Sequence, residues 1–160
     1  MIWAAIGGHI KRSELVVMRR DEQSKHNRYS SLSYLNTLGK GLVELYTGEI
    51  FMQDNAPIHT SHLVHNTLSY WGITVLANWP PYSPDLNPIE HLWPRLKEAI
   101  YDLRPNLDSI TNKDEQQVVL NGVLPRAWLQ IPVDVINKVL DSMPKRLQAV
   151  IDAQGWHTKY

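Results

Sequence analysis

Two acids, Asp54 and Glu90, stand in the stretches of this chain least like ordinary core or coil. Asp54 ends the run Glu49-Ile-Phe-Met-Gln-Asp54, after which Asn55 to Pro57 turn the chain toward His59. The pattern predicts a short apolar strand with a carboxylate at its carboxyl end, where an open α/β sheet places its ligands. Glu90 lies in Trp79-Pro-Pro-Tyr-Ser-Pro-Asp-Leu-Asn-Pro-Ile-Glu-His-Leu-Trp93, which holds four of the ten prolines and two of the six tryptophans. The first half cannot be helical, because Pro80, Pro81 and Pro84 lack amide donors and push their preceding residues toward extended backbone. The second half reads as a helix start, with Asn87 as N-cap, Pro88 at the first position and Glu90 at the third. Glu90 therefore has a plain reading as a capping acid. Asp54, a second acid at a point where such a sheet places its ligands, weighs against capping alone.

The elements that must position these acids follow from periodicity. Between them lie 35 residues, room for a helix over residues 61–71 closed by Gly72, a strand over 73–76 and the proline arm. Beyond Glu90, the spacing of Ile89, Trp93, Leu96, Ile100 and Leu103 predicts a helix with one buried stripe. Trp93 is the expected anchor against the sheet, Trp79 and Tyr82 are expected to fix the arm, and Pro94 is expected to kink the helix. His59, His62 and His65 are spaced three apart, but a zinc site needs further ligands that the nearby sequence does not offer. His62 and His65 read as a solvated helix face. His59, beside Asp54, reads as orienting a turn or touching a phosphate.

Gln53-Asp-Asn-Ala-Pro-Ile-His59 followed by Pro80-Pro-Tyr-Ser-Pro-Asp-Leu-Asn-Pro-Ile-Glu-His-Leu-Trp93 resembles the catalytic region of mariner-type DDE transposases (the pogo/mariner superfamily). The ending, residues 141–151 and 155–160, resembles the last residues of the same family, so the carboxyl terminus reads as natural. The resemblance implies an α/β fold, a ribonuclease H-like mixed sheet with flanking helices. It implies three carboxylates around two magnesium (or manganese) ions, with Asp54 and Glu90 matching the second and third acids as catalytic and metal-binding residues. The chemistry is consistent, because breaking and joining phosphodiesters calls for metal ions on the attacking and leaving oxygens.

Composition sets the outer limits. The chain has 160 residues, 43% of them hydrophobic, which suffices for a real core. Sixteen basic residues balance sixteen acidic ones, against a dedicated electrostatic DNA clamp within the segment. There is no cysteine, which excludes disulfides and thiolate metal sites and fits an intracellular protein. No apolar run is long enough to span a membrane, and residues 1–6 lack the basic leader of a signal peptide. Residues 1–6 and 14–18 read as two strands covered on both faces, with Lys11-Arg12-Ser13 as the exposed hairpin turn between them. A helix over residues 30–46 carries Leu35, Leu38, Leu42 and Leu45 on one stripe, weakened by Gly39 and Gly41 and so dependent on packing. Residues 106–117 read as a polar connection, 118–128 as a helix broken by Pro125, and 133–153 as one helix kinked at Pro144. Lys145, Arg146 and Lys159 read as a solvated basic face.

Set against the family, the first acid has no match. Glu14, Asp21 and Glu22 are the early acids that could replace it, and nothing in the pattern puts them beside Asp54. The amino-terminal helix-turn-helix modules of the family are also unmatched. The expectation is a carboxy-terminal part of a transposase catalytic domain that lacks the first, central strand, with an incomplete two-ion site. Residues 1–105 form the partial ribonuclease H-like domain and 106–160 a helical extension of it. Three functions compete: a cut-and-paste transposase core, truncated and inactive as it stands; a non-catalytic relic that associates weakly with DNA or with intact transposase; and a small metal-binding α/β protein using the histidines. By resemblance the partners are transposon-end and target DNA and a second copy or an intact transposase, with no membrane. The compartment is the nucleus in a eukaryote.

Overall fold

The computed structural model describes residues 1–8, 11–156 and 158–160. The chain forms two compact units, Met1–Ala5 with Arg12–Tyr82 and Ile6–Lys11 with Ser83–Tyr160.

In the first unit, β1 (Ile2–Trp3) pairs antiparallel with β4 (Val16–Val17), Ile2 opposite Val17 and Trp3 opposite Val16. The continuous apolar runs suggest strands covered on both faces. Instead Val17 is exposed and Ile2 and Trp3 are half-buried, so only Ala4, Leu15 and Met18 reach the core. The hairpin turn also falls earlier than expected. β2 (Ile6–Gly7) and β3 (Lys11–Arg12) pair, and the Lys11 amide bonds the Gly8 carbonyl at 3.1 Å. Ser13, expected in the exposed turn, is buried, and its hydroxyl accepts from the Ala5 amide at 2.7 Å. A serine hydroxyl both donates and accepts, so it satisfies the backbone beside it, as an apolar side chain could not.

α1 (Ser31–Gly41) starts on a capping box, Ser30 accepting from the Ser33 amide and Ser33 reaching back to the Ser30 amide. Tyr34, Leu35, Leu38 and Leu42 bury themselves against Val64 and Leu68 of α2 (His62–Tyr70) and against Met18 and Ile73. Gly41 is tolerated because the Trp3 ring lies where its side chain would be, against Val16. Packing thus offsets what a glycine costs at the end of the helix, at most about 1 kcal/mol. α2 is capped by Ser61 and ends at Gly72 with φ +72, a conformation suited to glycine.

The two strands expected around Asp54 reduce to one parallel bridge, Phe51 to Val75, made by two backbone hydrogen bonds of 2.8 Å. Among the described residues Phe51 pairs with nothing else, and a strand bonded along one edge at one residue does not propagate.

Apart from residues 6–11, the second unit is helical. Two 3-10 turns, Pro84–Leu86 and Pro88–His91, lead into α3 (Trp93–Leu103). Pro94 falls in the first turn of α3, where its missing amide has no helical partner to lose, so the expected kink is absent. After a 3-10 turn, Leu107–Ser109, α4 (Lys113–Gln130) starts on Asn112 and runs straight through Pro125. An interior proline costs about 3 kcal/mol. Here Val123, Leu124, Ala127 and Trp128 are buried on both sides of it and hold the helix together. α5 (Val133–Asp141) and α6 (Met143–Asp152) are two helices meeting at Ser142, where one kinked helix was expected, and Pro144 sits at the start of the second. Among the described residues no helix is long and apolar enough to cross a membrane.

Candidate active site

Asp54 follows the Phe51–Val75 bridge in the first unit and is exposed. Its Oδ1 accepts from the Ala56 amide at 3.0 Å, which folds the Asn-Ala-Pro turn back on the carboxylate. The same oxygen lies 2.6 Å from His59 Nδ1. A carboxylate only accepts, so Nδ1 carries the proton and Nε2 is left for another partner. The His59 ring is packed against the Tyr34 ring of α1, centroids 4.0 Å apart. The Tyr34 hydroxyl donates to Gln53 Oε1 at 2.7 Å, and Gln53 Nε2 donates to the His59 carbonyl at 3.3 Å. Burial, more than any other influence, raises the Tyr34 pKa, so the phenol stays a donor. Asp54 is therefore aimed by a short circuit of neighbours, and among the described residues only its Oδ1 is hydrogen-bonded. Asn55 Nδ2 donates to the Trp79 carbonyl at 2.7 Å, tying this turn to the start of the arm.

Glu90, in the second unit, occupies the Pro88–His91 turn and is exposed. The expected capping box is not made. Asn87 gives no side-chain cap, and its Nδ2 lies 3.5 Å from Glu90 Oε1, at the limit of a hydrogen bond. The backbone of the turn is regular, with the Glu90 amide bonding the Asn87 carbonyl at 3.2 Å and the Leu92 amide bonding Ile89 at 2.9 Å. Leu92, missing from the expected stripe, is fully buried and seats the turn. Trp93, the expected anchor, is half-buried. It packs on Trp128 of α4, ring centroids 6.0 Å apart, and Trp128 is the buried member of the pair. Trp79 is half-buried, whereas Tyr82 is fully exposed with φ +55 and fixes nothing.

The largest departure from expectation is Arg146. Read as part of a solvated face, it is the one buried residue of α6. Its Nε donates to Ser142 Oγ at 2.7 Å and Nη1 to the Asp85 carbonyl at 3.1 Å. Nη1 also meets His91 Nε2, which must be the acceptor because arginine has only donors. Burial and then the Arg146 charge lower the His91 pKa, in keeping with a neutral ring. Register carried the signal: Arg146 stands three residues after Met143 and four before Val150, on the same helix face.

His62 and His65 are exposed on α2. Among the described residues, no group of three or more His, Cys, Asp or Glu side chains is placed to hold a metal ion. Asp21 is committed elsewhere, Oδ1 accepting from the Gln23 amide at 3.0 Å and Oδ2 from the Ser30 hydroxyl at 2.6 Å. Asp54 and Glu90 fit a hard divalent cation in chemical type, each being an exposed carboxylate with one oxygen free of hydrogen bonds to the described residues.

Comparison with known proteins assigns the class. Residues 5–112, which include both acids, match the DDE superfamily endonuclease family. The chain belongs to that family. It is 46% identical over 114 residues to the transposable element Tc1 transposase of Caenorhabditis elegans, covering 71% of this chain and 38% of the relative. It is 43% identical over 111 residues to the Tcb1 transposase of Caenorhabditis briggsae, covering 69% of this chain and 37% of the relative. The region is thus of the mariner-type transposase class, and the chain spans about two fifths of the length of these relatives. Its fold is that of the Mos1 transposase catalytic domain, solved with Raltegravir and Mg, with a TM-score of 0.63 at 19% identity over 99% of this chain and 83% of that one. The Mos1 Strand Transfer Complex gives the same TM-score at 21% identity, over 94% of this chain and 40% of that one.

Proposed function

We propose that this chain carries part of the catalytic centre of a cut-and-paste DNA transposase, with Asp54 and Glu90 as its metal-binding and catalytic acids. The observation that carries the reading is that both acids fall inside the residues matched to the endonuclease family. Asp54 Oδ2 and the Glu90 carboxylate would hold magnesium or manganese. The ions would supply charge stabilisation to the attacking and leaving oxygens of a phosphodiester. This chain's own part is orientation: His59 and the Ala56 amide fix one oxygen of Asp54 so that the other faces outward.

On this reading the set of acids is incomplete among the described residues. Asp21 is bound to the start of α1, and among the described residues no group of three or more His, Cys, Asp or Glu side chains is placed to hold a metal ion. The reading places the missing acid on the central strand of the ribonuclease H-like sheet, beside the edge that Phe51 leaves without a second partner. The substrate is DNA, the association is with a second copy or an intact transposase, and the compartment is the nucleus of a eukaryotic host.

Manganese binding followed by water-proton relaxation tests the site. Asp54→Ala and Glu90→Ala each weaken binding, whereas the double variant His62→Ala/His65→Ala does not. The reverse pattern would return the chain to a histidine metal protein. The 160-residue chain is expected to give no magnesium- or manganese-dependent nicking of transposon-end DNA above an Asp54→Ala/Glu90→Ala control. Clear cleavage abolished by Asp54→Ala would mean that Glu14, Asp21 or Glu22 had taken the third place.

A further inference from the structure

A guanidinium is costly to bury, and Arg146 is only 5% exposed, with no carboxylate bonded to it among the described residues. Its partners are a serine hydroxyl on its own helix, the Asp85 carbonyl, His91 Nε2 and the face of Tyr160, whose centroid lies 4.8 Å from the guanidinium carbon. Asp85 and His91 belong to the two 3-10 turns that bracket Glu90. Thr158 adds a second tie, its hydroxyl donating to Asp85 Oδ2 at 3.0 Å. α6 packs on the first of these turns and α5 on the second. A helix that needed only to be covered would carry leucine or methionine at this position. A guanidinium whose Nη1 reaches both turns while its Nε is held by Ser142 does something an apolar side chain cannot, because it fixes their spacing.

We infer that Arg146, with Thr158 and Tyr160 behind it, is a positioning residue: it locks the segment 85–91 so that Glu90 presents its carboxylate in one orientation. The inference rests on the reading of Glu90 as a metal ligand. It adds that the last helix and the residues after it serve the site without touching metal or DNA. Glu90 has little support of its own, since among the described residues its side chain has one hydrogen-bond partner, 3.5 Å away. Its aim therefore depends on the backbone beneath it.

The test uses the 160-residue chain with Arg146→Met, which keeps the volume, Arg146→Lys, which keeps the charge, and Thr158→Val. Amide hydrogen exchange at Leu86, Asn87, Glu90 and Leu92 is read against that at Val123 to Trp128 in α4. Arg146→Met is expected to speed exchange about tenfold in the first set and leave the second unchanged, and Arg146→Lys is expected to rescue little. Thr158→Val, a milder change that does not threaten folding, should show the same pattern at about threefold. Manganese affinity supplies the readout that a merely structural role would not move. Arg146→Met should weaken binding several-fold in the parent and add nothing in a Glu90→Gln background. Unchanged exchange at 86–92 in both Arg146→Met and Thr158→Val would overturn the inference. So would equal losses with and without Glu90, or an equal rise in exchange throughout α4. If the parent's binding does not depend on Glu90 at all, the reading of Glu90 as a ligand falls first, and the positioning role falls with it.

Discussion

Asp54 and Glu90 are both exposed carboxylates on short turns, yet the chain supports them in opposite ways. Asp54 is held by its own side-chain oxygen, with the Ala56 amide and His59 Nδ1 both within five residues of it. Behind His59 stands Tyr34, on the helix whose leucines form the core of that unit. Glu90 has no comparable partner, and what is held is the backbone on either side of it, by Leu92 from within the segment and by Arg146 from α6. A carboxylate fixed at its oxygen tolerates some movement of the backbone below, whereas one fixed only through its backbone transmits every shift. Loss of about 1 Å in positioning can cost on the order of 100-fold in rate, so remote changes should matter more on the Glu90 side.

The sharpest way to break the contrast is to remove the remote support altogether. Trp128 is 1% exposed and underlies the Trp93 ring at the start of α3. Trp128→Ala should lower stability by about 3–5 kcal/mol in chemical denaturation, and Trp93→Ala, at a half-buried site, by clearly less. Equal losses would make Trp93 the anchor after all. The Asp54 side has its own packing test at Gly41. At this last position of α1 an alanine gains at most about 1 kcal/mol of helix propensity but drives a methyl group into the Trp3 ring. Overpacking of this kind costs about 1–3 kcal/mol, so Gly41→Ala should be net destabilising. A stabilised variant would show that the Trp3 ring moves freely and that α1 does not depend on it.

Smaller effects probe the oxygen-held carboxylate directly. His59→Phe keeps a ring against Tyr34 and removes the donor to Asp54. With Asp54 exposed, the loss should be about 1 kcal/mol, the scale of one net hydrogen bond. A loss well above 2 kcal/mol would assign His59 to packing. Tyr34 gives the same region a signature in pH. Its folded pKa is raised, mainly by burial, so above the ordinary tyrosine value near 10 the unfolded chain gives up its proton first. The contribution is complete below about pH 10 and is lost as pH rises further. Denaturation midpoints should therefore fall less steeply between pH 9 and 11 in Tyr34→Phe than in the parent, and identical slopes would mean that Tyr34 ionises freely when folded.

The same contrast explains what was legible in the sequence. α1, α2 and the Leu96–Ile100 stripe of α3 follow from apolar period and caps, and the Asp54 motif contains most of its own support. What could not be read depends on partners distant in the chain. Pro125 does not break α4, because Val123 to Trp128 are buried around it. Residues 49–54 are apolar enough for a strand but find one bridge, since a strand is made by its neighbours as much as by its residues. Its charge alone puts Arg146 in solvent, and a charge says nothing of a half-buried acceptor 55 residues away at His91. Ser13 moved the other way, from an exposed turn to the core, because one hydroxyl could serve the backbone there.

The smallest expected effect decides what Glu90 is for. Asn87 has the right type and place for an N-cap, with Glu90 at the third position after it, and that pattern alone would make Glu90 a structural acid. A working N-cap loses about 1 kcal/mol when replaced by alanine. Here Asn87 accepts no amide, the turn that follows is 3-10, and α3 begins only at Trp93. What Asn87 does offer is an amide nitrogen 3.5 Å from the Glu90 carboxylate, which is worth little at an exposed site. Asn87→Ala should therefore change stability by less than about 0.5 kcal/mol, within the range of an ordinary surface substitution. Glu90→Gln should be equally silent in denaturation while weakening manganese binding. A loss near 1 kcal/mol in both variants, with no gain on combining them beyond either alone, would mean that the two residues cap the helix together. The exposed carboxylate would then have a structural occupation, and the contrast with Asp54 would lose its functional side.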